Sequence, residues 1–171
     1  EEAVANFAVR CTEKLRRQGS VCQGITVFAW TSRFNEHVPE YTIHDSLTLP
    51  IATNAQEEIV GAALSILRAR YPNTMADSRP DRSDMSFHFK KAGVILWQIS
   101  PDHPRQQDLF DPIDRSKQKK LMEAIDAINR KNGYGTIRQA IQGTDCRFDL
   151  KREYMSKQFT TNIHDILKVK T

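Results

Sequence analysis

The chain has 171 residues, of which 39% are hydrophobic, and its net charge is +4. This length allows one domain or two small ones with a real hydrophobic core, and the composition is ordinary for a soluble globular chain. No run of about 18 apolar residues occurs, which excludes a membrane-spanning helix. The acidic start is unlike a signal peptide, and three widely spaced cysteines favour a reduced, cytoplasmic protein over a disulfide framework.

The charge is unevenly distributed. Residues 1–111 contain 12 Lys and Arg against 14 Asp and Glu, a balance of −2. Residues 112–171 contain 13 against 7, a balance of +6. This difference predicts a boundary near Pro112 and a basic second half that could attract nucleic acid or an acidic protein.

The first half has the pattern of an α+β domain. Residues 1–18 show apolar side chains at helical spacing, and Gly19 is typical of a helix end. Residues 21–31 are β-branched and aromatic, which predicts a strand with Thr26, Phe28 and Trp30 on one face. A second strand is predicted over residues 41–49, with Asp45 marking a bulge.

A second helix is predicted to begin at an Asn54 cap and to bury Ile59, Ala63 and Leu67. Residues 87–99 then predict a strand interrupted at Gly93. The expected order is α-β-β-α-β, an antiparallel sheet backed by two helices on one face. The other face is open; it is either a binding surface or simply exposed to solvent.

The second half predicts a small basic α/β unit. Residues 114–136 read as a helix that Ser116 caps and Gly133 ends, with a stripe formed by Leu121, Met122, Ile125 and Ile128. Short strands are predicted over residues 136–142 and near Phe148. The last thirty residues have hydrophobic side chains without a firm period, so they either pack back locally or dock on a partner.

No catalytic motif is evident. The phosphate-binding loop GxxxxGK[ST], the zinc motif HExxH and the nucleophile motif GxSxG do not occur. The five histidines do not fall at metal-ligand spacings, and His103 beside Asp102 indicates a solvated loop rather than a catalytic pair. Acidic residues are scattered, so no magnesium pair is predicted. The residues predict a binding module; an enzyme with an unrecognised site would need a convergent acidic or histidine cluster.

Four motifs in order resemble a known family: "FKKAGVILWQIS", "QQDLF", "LMEAIDAINRKNGYGTIRQAIQG" and "SKQFTT". They are similar to the C-terminal part of the UmuC family, the polymerase subunits of bacterial DNA polymerase V, which are Y-family translesion enzymes. The start, "EEAVANFAVRCTEKLRRQG", resembles the first helix of that family's little-finger domain. The resemblance covers essentially the whole chain.

The resemblance implies three segments: a little-finger DNA-binding domain (residues 1–103), a connector with a sliding-clamp peptide (104–115) and a basic C-terminal extension (116–171). The family's little finger is β-α-β-β-α-β, so its first strand is expected to be missing here, which would leave an uncovered sheet edge. The palm domain, whose acidic residues hold magnesium, is expected to be absent as well. The resemblance thus implies a non-catalytic part of a DNA-directed DNA polymerase, with no cofactor of its own.

The pentapeptide at residues 106–110 is similar to the peptide with which bacterial polymerases bind the sliding clamp, the beta subunit of DNA polymerase III. Leu109 and Phe110 would enter an apolar pocket, Gln106 would form a hydrogen bond at its rim, and Asp108 occupies a position where the family has Ser or Asp. Pro104 and Pro112 would keep the peptide extended. Alternatively, the two apolar side chains attach the connector to its own domain.

The resemblance also implies that the open sheet face binds primer–template DNA without base specificity, mainly through the backbone. The residues expected to do so are Thr26, Trp30, Thr31, Ser32, Arg33, Thr42, His44, Ser46, Lys90 and Lys91. Trp30 would stack on sugar or base, or lie under the C-terminal unit.

Further partners follow from the family alone: a cleaved UmuD-like accessory subunit at residues 133–171, and RecA. The terminal Lys168 and Lys170 are either part of such an interface or solvated. The implied role is SOS mutagenesis and DNA damage tolerance in the cytoplasm, near the nucleoid and without membrane contact. The alternative is an assembly module that binds clamp and accessory subunit but not DNA.

Overall fold

The computed structural model describes residues 1–32, 40–71, 89–102, 111, 113–144 and 155–166. The elements, in order, are α1 (Glu2–Arg17), β1 (Ser20–Thr31), β2 (Thr42–Thr53), α2 (Gln56–Arg70), β3 (Phe89–Trp97), β4 (Ser100–Pro101) and α3 (Arg115–Asn132), followed by short 3-10 helices at Ala140–Gln142 and Ile163–Asp165. The predicted α-β-β-α-β order and the α+β class are confirmed.

The sheet is antiparallel, with β1 in the centre between β2 and β3. The short β4 pairs with Ser20 and Val21 of β1 in the same register as β3, so it continues the line of β3. The break between them lies at Gln98, which has a left-handed backbone (φ 52°). Within the described residues, β2 and β3 each pair only with β1, so both have an unpaired outer edge.

The core lies between the sheet and the two helices α1 and α2. Ile25, Val27 and Ala29 point from the central strand into this layer and are buried. They meet the predicted stripe of α2, in which Ile59 and Ala63 are completely buried. Strand alternation and helical period agree with each other here, so the sequence predicts the packing as well as the elements.

Three local predictions are wrong. Asn54 does not cap α2, because the helix begins one residue later, after Ala55, and has no side-chain cap; the Asn54 side-chain amide donates to the Ser20 carbonyl (3.1 Å). Asp114, not Ser116, caps α3 by accepting a hydrogen bond from the Lys117 amide (3.0 Å). Asp45 pairs regularly with Val27, and the irregularity in this strand pair lies between Cys22 and Gly24.

The regular elements in the described part of the C-terminal unit are all helices. Residues 136–142, predicted as a strand, form a turn and a 3-10 helix that ends at Gly143. The predicted stripe of α3 is largely exposed, because only Met122 is buried. Gly133 ends α3 as predicted. Residues near Phe148 lie outside the described ranges.

Polar contacts hold the C-terminal unit against the helix layer. Arg16 of α1 forms two 2.7 Å hydrogen bonds with the Asp126 carboxylate of α3, and Arg115 bonds to Glu58 of α2 (2.7 Å). Nearer the start of α1, the side-chain amide of the buried Asn6 donates to the Gln142 carbonyl (2.8 Å). No helix in the described ranges is long and apolar enough to span a membrane.

Candidate nucleic-acid interface

The sheet surface opposite the two helices, here called the open face, is built by alternation along three strands. In β1, every second residue points away from the core, starting at Gly24. The cross-strand register aligns them in rows: Trp30 lies between Thr42 and Lys91, and Phe28 lies between His44 and Gly93. The full set is Gly24, Thr26, Phe28, Trp30, Thr42, His44, Ser46, Thr48, Lys91, Gly93, Ile95 and Trp97.

Aromatic rings dominate the open face of β1 and β3. The rings of Phe28 and Trp30 are stacked, with centroids 5.2 Å apart and an interplanar angle of 24°. The Lys91 ammonium lies 5.3 Å from the Trp30 ring centroid, within the range of a cation–π contact. Trp97 adds a third ring on β3. This surface is therefore partly apolar and carries a positive charge beside its largest exposed ring.

A hydrogen-bond chain fixes the middle of the face. The Trp97 indole N–H donates to Oγ1 of Thr26 (3.1 Å), and that oxygen lies 2.7 Å from the Ser46 hydroxyl. Thr26 is buried. Its hydroxyl therefore orients the indole and Ser46, and it is not available to an outside ligand.

The structure brings six of the predicted contact residues together on or beside the open face, all of them exposed: Trp30, Thr42, His44, Ser46, Lys90 and Lys91. Lys90 is the extra residue of a bulge, because Thr31 pairs with Phe89 and Trp30 pairs with Lys91. Ser32 follows β1 and is half-buried. Arg33 lies outside the described residues.

Two of the predicted contacts need correction. Thr31 belongs to the opposite face: it is 1% exposed, and its hydroxyl accepts a hydrogen bond from the Tyr41 amide (2.9 Å). Alternation from Ala29 already places Thr31 on the core side. Thr26 has the predicted direction but is covered.

Phe28, Ile95 and Trp97 were missed as site residues, although they belong to the same surface. Ile95 is 48% exposed. The signal was present in the sequence, since Lys91, Gly93, Ile95 and Trp97 follow one another at two-residue spacing.

The clamp-peptide residues Gln106, Asp108, Leu109 and Phe110 lie outside the described residues. The described residues on either side of this segment, Asp102 and Asp111, both form polar contacts. Asp102 bonds through its amide to the Gly19 carbonyl (2.8 Å) and through its carboxylate to Lys119 (3.3 Å). On the other side, the Asp111 carboxylate pairs with Arg115 at the start of α3.

A cleft of about 630 Å³ lies between α1 and α3, away from the open face. Its charged lining includes Glu13, Arg16 and Asp126. Burial, and then the nearby Asp126 carboxylate, raise the pKa of Glu13 above its ordinary value. Within the described ranges, no three His, Cys, Asp or Glu side chains are grouped to hold a metal ion. The contacts in this cleft join α1 to α3.

Comparison with known proteins gives two family matches. The model of the impB/mucB/samB family C-terminal domain matches residues 1–109. A domain of unknown function, DUF4113, matches residues 119–169.

Among individual proteins, protein UmuC of Salmonella typhimurium strain LT2 is 33% identical over 170 residues, which is 99% of this chain and 37% of the relative. Protein ImpB of Salmonella typhimurium is 32% identical over 96% of this chain and 36% of the relative. Protein MucB of Escherichia coli is 32% identical over 97% and 36% respectively. The chain thus spans a little over a third of the length of these relatives. Because the first family model covers well over half of the chain, the chain belongs to the impB/mucB/samB family and corresponds to its C-terminal domain.

Proposed function

We propose that this chain is the non-catalytic C-terminal part of an error-prone, UmuC-like Y-family translesion DNA polymerase. In this role it binds primer–template DNA without sequence specificity and tethers the enzyme to the sliding clamp during SOS mutagenesis and DNA damage tolerance. The observation that carries the proposal is the open face: a sheet surface that no described helix covers, with hydroxyl, aromatic and lysine side chains, in a chain of the impB/mucB/samB family. Catalysis and its magnesium ions would belong to the remaining part of the relatives' length.

The chemistry of the open face supports DNA backbone binding. Exposed hydroxyls such as Thr42 and the imidazole of His44 can donate hydrogen bonds to phosphate oxygens, while Lys90 and Lys91 supply positive charge. None of the open-face positions on β1, β2 and β3 that the structure describes is acidic. Such contacts give affinity that depends on salt and not on sequence.

Two substitutions that each introduce one negative charge test the DNA proposal. Thr42→Glu places a carboxylate on the open face, whereas Ser65→Glu places one at an exposed position of α2, on the other side of the sheet. We expect Thr42→Glu to weaken binding to a labelled primer–template by several-fold at low salt, because the carboxylate repels phosphate. Ser65→Glu should bind like the unmodified chain. Equal effects of both substitutions, or no salt-dependent DNA binding by the unmodified chain, would contradict the proposal.

Clamp binding is supported by the pentapeptide and its setting in the chain. Leu109 and Phe110 are adjacent apolar anchors in a polar connector, and their burial in a pocket would give roughly micromolar affinity after ordering costs. The test is titration of the chain into a bacterial sliding clamp. Leu109→Ala/Phe110→Ala should abolish binding, whereas Leu121→Ala, which truncates an exposed leucine on α3, should not. If the unmodified chain does not bind, the proposal of a clamp peptide is wrong.

The second candidate function is a pure assembly module, which a specific observation favours. Apolar side chains of the C-terminal unit are unusually exposed: Leu121 by 49%, Ile128 by 37% and Ile163 by 77%. Such side chains fit a protein partner, and a cleaved UmuD-like subunit and RecA are the partners that we propose. A chain with normal clamp affinity but without salt-dependent DNA binding would establish this alternative.

A further inference from the structure

We propose that the open face contains a base-stacking site for unpaired nucleotides, formed by Trp30 and Phe28 and flanked by Lys91. This inference rests on the proposed DNA-binding function and makes it specific, since it names unpaired nucleotides as the part of the DNA that stacks on this surface. Contacts to phosphate alone would not require aromatic rings on the central strand.

Two glycines allow the rings to lie across the sheet. A Cβ atom at Gly93 would come within 2.3 Å of Cζ of Phe28, and one at Gly24 within 2.2 Å of Cδ2 of Trp97. Any other residue at these positions would push the ring outward. Each glycine therefore accommodates the aromatic ring that lies opposite it on the neighbouring strand, and the aromatic surface stays close to the sheet.

The largest exposed ring of this surface has a fixed orientation. Trp30 is 37% exposed, is stacked against Phe28 at 5.2 Å, and has the Lys91 ammonium 5.3 Å from its ring centroid. Two neighbours restrict the rotamers of the indole before any ligand arrives, which lowers the ordering cost of stacking on it. The Lys91 ammonium lies close enough to the ring to pair with the phosphate of a nucleotide bound there.

Unpaired bases are the occupant that fits this combination. In a duplex the faces of the bases are stacked on one another, so an exposed indole can reach them only where the bases are unpaired. An apolar surface of another protein would also cover the rings. The nucleic acid is favoured because the described open-face positions include lysine and hydroxyl side chains and no carboxylate.

Tryptophan fluorescence can report on this site. The chain contains two tryptophans, Trp30 and Trp97, and both lie on the open face.

The experiment compares a labelled oligothymidylate with an abasic oligodeoxynucleotide of the same length at low salt. Affinities are measured by anisotropy, and tryptophan emission is recorded in parallel with unlabelled oligonucleotides. Stacking should quench the emission with oligothymidylate only, and oligothymidylate should bind more tightly than the abasic strand.

Three variants separate stacking from folding defects. Trp30→Ala should weaken oligothymidylate binding by about tenfold and leave abasic binding unchanged, because one stacked base is lost. Trp30→Phe should retain most of the affinity, since a ring remains. Tyr134→Ala removes an exposed ring outside the open face and should have no effect.

The other outcomes are distinguishable. Equal affinity for the two oligonucleotides, unaffected by Trp30→Ala, would overturn base stacking while leaving the proposed backbone binding intact. Absence of binding to both strands and to primer–template DNA at low salt would overturn this inference together with the DNA-binding function.

Discussion

Single residues decide how the open face is shaped, and Gly93 is the clearest case. From the sequence, this glycine was expected to interrupt β3. The strand instead continues through it, with Gly93 directly opposite Phe28. The missing side chain accommodates an aromatic ring and does not break the strand. This cannot be read from β3 alone, because it depends on which residue of β1 lies opposite.

Gly93→Ala should destabilise the protein by about 1–3 kcal/mol, because its Cβ would lie 2.3 Å from Cζ of Phe28 and would force the ring off its position. Loss of the Phe28 position should also disturb Trp30, which stacks on it. The measurement is chemical unfolding together with tryptophan emission.

Gly61→Ala provides the matched control. Gly61 lies inside α2, and a Cβ atom there would meet nothing within 4 Å. Alanine should therefore stabilise the protein by about 0.5–1 kcal/mol through helix propensity. Equal effects of the two substitutions would show that Phe28 does not lie over Gly93.

At the scale of elements, patterns that are local in the sequence predicted the structure well. Helices α1 and α2 and strand β1 follow from their periods, since apolar spacing and burial agree in each. Helix caps were less predictable, because Asp114 caps α3 in place of Ser116, and α2 has no side-chain cap. Alternation along each strand predicts the exposed contacts Trp30, Thr42, His44 and Ser46, and it gives the two-residue spacing of Lys91 and Ile95 in β3. Which residues of β1 lie opposite those of β3, and the bulge at Lys90, follow only from the pairing register.

The docking of α3 could not be predicted, because it depends on side chains far apart in the chain. Its apolar stripe implied a hydrophobic contact, yet only Met122 of the stripe is buried. Two ion pairs of 2.7 Å, Arg16–Asp126 and Arg115–Glu58, join α3 to the helix layer, and the partners of the first lie 110 residues apart. Side-chain exposures of 10% and 23% place the first pair in a partly desolvated setting. Removal of one partner would leave the other incompletely paired.

Two substitutions in this cleft should therefore have opposite effects at neutral pH. Asp126→Asn should destabilise the protein by about 1–3 kcal/mol, because Arg16 loses its charged partner. Glu13→Gln should stabilise it by up to about 1 kcal/mol, because burial and Asp126 raise the pKa of Glu13, so its ionised form is disfavoured in the folded state.

The pH dependence gives the check on Glu13. A raised pKa in the folded state means that the group costs stability once it is ionised, and that this cost disappears as protons rebind at low pH. The advantage of Glu13→Gln should thus be present at pH 7 and should shrink as the pH falls towards the ordinary value of 4.5. Unfolding curves at both pH values test this, and a difference that does not change with pH would contradict it.

At the scale of the whole molecule, the charge balance of the sequence and the geometry of the fold favour different DNA-binding regions. The excess of positive charge lies in residues 112–171, whereas residues 1–111 have a slight negative balance. Composition alone would place nucleic acid on the basic half. The fold, however, exposes Lys90 and Lys91 at one end of the sheet, near Trp30.

The first turns of helix α3, with the exposed Lys117 and Lys120, lie at the other end. Its first residue, Arg115, contacts Thr53 at the end of β2, and its Lys119 contacts Asp102 just after β4. Since a strand rises about 3.3 Å per residue, Trp30 lies roughly 30 Å from Ser20, where β1 starts. The two groups of lysines are thus on separate parts of the molecule, and a matched pair of variants can distinguish them.

Lys90→Ala/Lys91→Ala and Lys117→Ala/Lys120→Ala remove the same charge from exposed positions. If the open face is the DNA site, the first variant should bind primer–template DNA more weakly and should reduce the slope of log K against log salt by up to about 2, because each lysine contacts a phosphate. The second variant should change affinity only slightly, through its weaker long-range field. Titrations at several salt concentrations measure both quantities. A larger loss of slope in the α3 variant would show that the basic C-terminal unit, and not the open face, carries the DNA contacts.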